Sequence, residues 1–152
     1  MLSVVIAFVV RALLVAIFLP CSALDKVVNF AQALAQARQS APGWLAPVLI
    51  AGGFGIEVVM SAAILIGVAD RLAALILAAY CIVTALLWKQ FWAVPGFHLK
   101  GPGDRALFWD FMKNFALAGG FLLLTFGANA SQARRFLAQP LSSSNPYSQG
   151  SQ

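Results

Sequence analysis

Charge is scarce in this chain. Only 10% of its 152 residues are Asp, Glu, Lys or Arg, against 61% hydrophobic residues, and the mean hydropathy is +0.86. Soluble domains of ordinary composition carry about 25% charged and about 45–50% apolar residues, so the sequence does not supply a water-facing globular surface. Ten basic residues outnumber five acidic ones, for a net charge of +5. At this hydropathy the excess suits helix ends beside anionic lipid headgroups. It does not suit nucleic acid, because no Lys/Arg cluster is interleaved with aromatics. One histidine is present, His98, close to Pro95 and Gly96, and a lone loop histidine is ordinarily solvated. The two cysteines, Cys21 and Cys81, have no CxxC spacing and no neighbouring His, which leaves little support for metal binding or dithiol chemistry. Both read as small core residues at different depths, which speaks against a disulfide. No nucleotide loop, haem-attachment site or metal-spacing motif appears. No catalytic residue and no metal ligand is therefore assigned.

Long apolar runs are what the chain does have. Four of them lie at about 2–24, 47–69, 72–94 and 108–130, each near the roughly 20 residues that cross a bilayer as a helix. The expected fold is an all-α membrane protein, a four-transmembrane-helix bundle forming one domain over 1–135. A polar tail, 136–152, has a composition with no reason to fold. The first run is longer than the apolar part of a signal peptide, has no basic residue before it, and contains Arg11, so it reads as uncleaved.

Between the first two runs, Val27, Phe30, Ala31 and Leu34 recur at helical spacing, with Asn29, Gln32, Gln36 and Arg38 on the other side. This predicts a short interfacial helix, lying in the membrane surface or capping the bundle. Gly52, Gly53 and Gly55, and the pair Ala116 and Gly120, are small residues suited to close helix packing in lipid. Asp70-Arg71 reads as an exposed tight turn that makes the second and third spans antiparallel neighbours. Leu99–Asp104, LKGPGD, reads as a loop. Both termini then share a side with Arg71, Arg134 and Arg135, while Lys26, Arg38, Lys100 and Arg105 lie opposite; the compact Arg71 turn and basic tail favour cytoplasmic termini.

Three charges stand well inside the apolar runs, away from their ends: Arg11, Glu57 and Lys113. Each costs at least about 2.5–3.5 kcal/mol at membrane depth unless it is partnered. Arg11 and Glu57 have opposite signs, and a rise of about 1.5 Å per residue brings both some 15 Å inward from opposite sides. An Arg11–Glu57 ion pair is the expectation. Lys113 and Asn114 head the run FALAGGFLLL. The Lys113 stem has the length to reach Glu57 or to snorkel outward, and Asp110, one turn earlier, is a nearer partner. The predicted buried polar cluster is thus Arg11, Glu57, Lys113 and Asn114, with Asp110, Lys89 and His98 as secondary candidates. Such a cluster reads either as a packing latch that fixes which helix faces meet or as a polar site for a substrate, a quinone headgroup or a proton. Lys89, beside Trp88, Phe91 and Trp92, reads as part of an interface belt.

These segments, in order, carry a resemblance. Arg11 is followed by FLPCSALDKVVNF, then GFGIEVVMSAAILIGVADRLAALIL around Glu57, QFWAVPGF after the third run, and FMKNFALAGGFLLL with the Lys-Asn pair. From about Arg11 to Arg135 the chain resembles the DoxX family of small four-helix membrane proteins. It departs from many members at Cys21-Ser22-Ala23, where they have a Gly, and at Lys89, where they have a His. The resemblance implies a polar cluster on the inner face of the bundle. Some relatives are membrane subunits associated with quinone-linked sulfur oxidation, and others are tied to redox complexes or to membrane-protein assembly. The functional expectation is an accessory subunit of a membrane redox or respiratory complex in the bacterial inner membrane, not catalytic by itself. It would have the lipid bilayer and other membrane subunits as partners, no nucleic acid, and no cofactor of its own beyond a bound quinone or lipid. The alternatives are a small proton-coupled transporter and a membrane-protein assembly factor.

Overall fold

The computed structural model describes residues 1–148, apart from the side chains at positions 39 and 40. Every regular element among the described residues is helical: α1 (Leu2–Val15), a π-helical turn (Ile17–Ser22), α2 (Ala23–Val28), α3 (Phe30–Ser40), α4 (Leu45–Ile66), α5 (Asp70–Trp88), a 3-10 turn (Phe91–Ala93), α6 (Pro102–Phe126) and α7 (Ala130–Ala138). Four stretches are long and apolar enough to cross a membrane: Leu2–Val28, Leu45–Ile66, Asp70–Ala93 and Pro102–Phe126. The expected four-helix membrane architecture is the one observed.

Local chemistry sets the joints. Leu19 leaves helical geometry (φ −124°, ψ 107°) immediately before Pro20. A proline ring clashes with the preceding turn and disfavours helical backbone at the residue before it. The first span therefore bends at that point. α4 stops at Gly67, whose φ of 81° is left-handed, a conformation that glycine adopts without a Cβ penalty. α6 opens on Pro102, with Asp104 in its first turn, where a missing N–H is harmless and a carboxylate suits the helix dipole.

α5 is central, packing chiefly against α6 and α4. Its buried face is made of Ala73, Ala74, Leu77, Ala78, Cys81 and Ala85, small residues that let backbones approach where lipid offers no hydrophobic drive between helices. Val15, Phe18, Ile64, Ala118 and Phe121 complete the core. Outward-facing Leu13, Ile17, Val59, Ile66 and Leu123 are 50–72% exposed, as the lipid-facing side of such a bundle requires.

Several expectations need correction. Of the apolar face predicted for the interfacial segment, Leu34 is half-buried, while Val27 and Phe30 face outward with Val28 at 47–77% exposure. Ala37 is buried and Ala33 half-buried, and the exposed Asn29, Gln32 and Gln36 border the same groove. Cys21 is exposed, and only Cys81 is a core residue. Gly52 and Gly55 face open space, and Gly53 alone of the three makes a close approach. The tail does not begin at 136: α7 runs to Ala138, with Phe136 stacked edge-on against Phe126 at 5.4 Å. Ser143, Ser144 and Tyr147 then bond back to the bundle. The remainder of that predicted tail, 149–152, lies outside the described residues.

Candidate functional site

Two buried polar layers cross the bundle. The first is built on Glu57, midway along α4 and 2% exposed. Ser22 and Lys26, one turn apart, converge on it from the bent first span. Lys26 Nζ donates to Glu57 Oε1 at 2.7 Å, to Oε2 at 2.8 Å and to Ser22 Oγ at 2.7 Å. Ser22 Oγ donates to Oε1 at 3.1 Å, and the Tyr80 hydroxyl on α5 donates to the same oxygen at 2.8 Å. Gly53, one turn before Glu57, makes room for Tyr80, because a Cβ there would stand 3.0 Å from the tyrosine oxygen. Oε1 is saturated, whereas Oε2 accepts only from Lys26 and keeps acceptor capacity.

This layer floors a groove of about 750 Å³ between the α2–α3 segment and α4, α5 and α6. Its walls are mixed: Ile17, Leu49, Ile56, Val83 and Leu117 are among the aliphatic residues, and Asn29, Gln32, Gln36, Thr84 and Asn114 among the polar ones. Lys26, Lys89 and Lys113 are matched in number by Asp25, Glu57 and Asp110 among the lining residues. The groove is thus formally neutral. Trp88 also lines it, and its buried indole N–H has no hydrogen-bond partner among the described residues.

The second layer is built on Arg11 and Asp70. Arg11 Nη2 lies 2.7 Å from Asp70 Oδ2, and Nη1 donates to the Ile64 carbonyl at 2.8 Å. Ser144 reaches in from the C-terminal segment: its backbone N–H donates to Asp70 Oδ1 at 2.9 Å, and its hydroxyl bonds to Asp70 Oδ2 and accepts from Arg11. The same segment places Ser143 on the Gly67 carbonyl and the Tyr147 hydroxyl on the Leu65 carbonyl. Between the two layers sit Phe18, Leu77 and Phe121, with Phe18 centred 5.8 Å from Phe121 and 6.3 Å from Tyr80.

The predicted cluster is therefore divided. Arg11 and Glu57 are both buried, but each pairs with another residue, so the expected Arg11–Glu57 bridge is replaced by Arg11–Asp70 and Lys26–Glu57. The cause is the bend at Leu19–Pro20. It lets α1 sit with Arg11 level with Ile64, about 10 Å along α4 from Glu57, and brings Lys26 inward from the interface. Lys113 does not join Glu57: its side chain is 70% exposed and lies 3.6 Å from Asp110, which Lys89 also approaches at 3.2 Å. Asn114 Nδ2 donates to the Asp110 carbonyl at 2.8 Å. Lys113, Asn114, Lys89 and Asp110 line the same groove at a distance from its floor. His98 is exposed, and its backbone N–H donates to Asp104 at 2.9 Å. Among the described residues no three His, Cys, Asp or Glu side chains converge as a metal site.

Sequence reasoning missed Lys26, Ser22 and Tyr80 around Glu57, and Asp70 and Ser144 around Arg11. The four-residue spacing of Ser22 and Lys26 was the available signal for one face of one helix. Asp70, taken for an exposed turn residue, is fully buried.

A model of the DoxX family matches residues 6–90, more than half of the chain. The chain belongs to the DoxX family. The matched region contains Arg11, Lys26, Glu57, Asp70 and Tyr80, so both buried ion pairs of this DoxX protein lie inside it, while Asp110, Lys113, Asn114 and Ser144 lie beyond. No curated protein and no solved structure matches the chain.

Proposed function

We propose that this multi-pass DoxX protein holds a neutral amphipathic molecule of the quinone class in its groove and serves as an accessory subunit of a membrane redox assembly. The observation that carries the reading is the Lys26–Glu57–Tyr80 cluster at the floor of a charge-balanced groove with both aliphatic and polar walls. A groove of about 750 Å³ falls within the range of small-molecule sites, where apolar walls supply affinity and a few placed polar groups fix orientation. Balanced charges favour a neutral headgroup over an ion. The unsaturated Glu57 Oε2 accepts from a quinol hydroxyl.

The family resemblance supports the redox half of this reading, and the groove supports the ligand half. The apolar core of Phe18, Leu77 and Phe121 separates Glu57 from the Arg11–Asp70 layer, which favours a one-sided binding groove over a carrier open to both faces. The bacterial inner membrane is the proposed location. Arg71, Arg134 and Arg135 on the side of the termini favour the cytoplasm there.

The test is solubilisation of native membranes in a mild detergent, purification through a tag, and identification of co-purifying proteins and extractable quinone. The reading expects a redox-enzyme subunit and quinone to come with the protein. A monodisperse protein that leaves alone, without quinone, and supports transport in vesicles would contradict it.

A further inference from the structure

A second pocket, of about 460 Å³, lies on the side of the termini between the start of α5 and the segment that follows α6. Its lining differs in kind from that of the groove. Arg71, Arg135, Gln139, Ser142 and Asn145 contribute to it, and no carboxylate residue does. Asp70, adjacent in sequence to Arg71, is taken up by Arg11 at 2.7 Å and by Ser144. The other carboxylates of the chain are engaged elsewhere: Glu57 by Lys26, Asp110 by Lys89 and Lys113, Asp104 by the His98 N–H and Asp25 by Asn29.

The Nε of Arg71 is buried and has no hydrogen-bond partner among the described residues. Arg71 lines the pocket, so its guanidinium charge stands beside that space, although the buried Nε itself is closed off from it. Arg135 brings a second guanidinium from α7, while Gln139 and Asn145 bring amide donors. Donors surrounding a space without acidic groups match a tetrahedral oxyanion, which guanidinium binds through paired N–H bonds.

We infer that this pocket binds a phosphate group, carried by an anionic ligand at the membrane surface. The C-terminal segment is part of the site as well as a strap over the bundle, since Ser142 and Asn145 line it while Ser144 holds Asp70. Basic pockets at the ends of membrane helices take phospholipid headgroups by the same chemistry. The inference does not rest on the quinone reading, because the two pockets share no lining residue.

The test is calorimetric titration of the full-length protein in a nonionic detergent with two probes, inorganic phosphate and a short-chain phosphatidylglycerol. Binding of either supports the site: phosphatidylglycerol alone identifies a lipid headgroup, and binding of inorganic phosphate as well identifies a site open to free phosphate. Arg71→Gln with Arg135→Gln is expected to weaken binding at least tenfold. Arg135 sits on the exposed side of α7, so Arg135→Gln alone tests the site with the fold undisturbed and is expected to weaken binding severalfold. Arg134→Gln removes an equal charge one residue away, outside the pocket, and is expected to leave binding unchanged. Absence of binding by both probes, or equal weakening by Arg134→Gln and Arg135→Gln, would overturn the inference.

Discussion

Lys26 Nζ lies 2.7 Å from Glu57 Oε1, and the Tyr80 hydroxyl bonds the same oxygen at 2.8 Å. Two helices that would otherwise meet through aliphatic contacts alone are thereby tied, with α5, at one buried carboxylate. The Glu57 side chain is 3% exposed and that of Lys26 17%, so neither charge is replaced by water if its partner is removed.

Breaking this pair from one side should therefore be severe. Lys26→Met or Glu57→Gln is expected to cost about 3–5 kcal/mol, the range for leaving one buried charge unpaired. Lys26→Met combined with Glu57→Gln should recover much of that loss. Thermal unfolding of the four proteins in detergent measures the coupling; additive effects of the two single changes would show that the pair is not coupled.

The Arg11–Asp70 pair makes a matching demand. Asp70→Asn should destabilise about as much as Glu57→Gln, by about 3–5 kcal/mol, because Asp70 is fully buried and holds Arg11 and two groups of Ser144. An exposed turn aspartate would instead change stability by less than about 0.5 kcal/mol. Expression yield and melting temperature of Asp70→Asn beside Glu57→Gln separate the two cases.

How much of this was legible in the sequence follows from one bend. The four spans were plain, because runs of about 20 apolar residues have few other uses. The burial of Arg11 and Glu57 was legible for the same reason: each is an ionisable group inside such a run. Their partners were not, since depth counted along straight helices puts Arg11 and Glu57 level. The turn at Leu19–Pro20 shifts the first span against α4, by an amount set by packing with Phe18 and Phe121 rather than by residue count. The Ser144 contact spans 74 residues to Asp70, and nothing local in a Ser/Asn/Gln-rich segment announces so distant a partner.

That segment supplies a third prediction. Removal of residues 140–152 should lower the melting temperature although the deleted chain is mostly polar, because Asp70 loses two hydrogen bonds and the Leu65 and Gly67 carbonyls lose theirs. Ser144→Ala alone should cost about 1.5–3 kcal/mol, the range for a hydrogen bond to a charged group. An unchanged melting temperature in the deletion would show that the segment does not hold the bundle end.

Gly53 gives a fourth. Gly53→Ala places a methyl group 3.0 Å from the Tyr80 oxygen, so the hydroxyl must retreat from Glu57 and the protein should lose about 1.5–3 kcal/mol. Tyr80→Phe removes the crowded oxygen. In that background Gly53→Ala should cost markedly less, a non-additivity that double-mutant thermal unfolding measures. Equal costs in both backgrounds would place the strain elsewhere.

Whether the groove above Glu57 is a ligand site is decided by a binding titration. A short-chain quinol added to the purified protein should quench the fluorescence of Trp88, which lines the groove, with the signal assigned by comparison with Trp88→Phe. The account predicts saturable binding by the native protein, at least tenfold weaker binding by the combined Lys26→Met and Glu57→Leu variant, and unchanged binding by Arg134→Gln. Equal affinity in the native protein and the combined variant, with both folded, would contradict it.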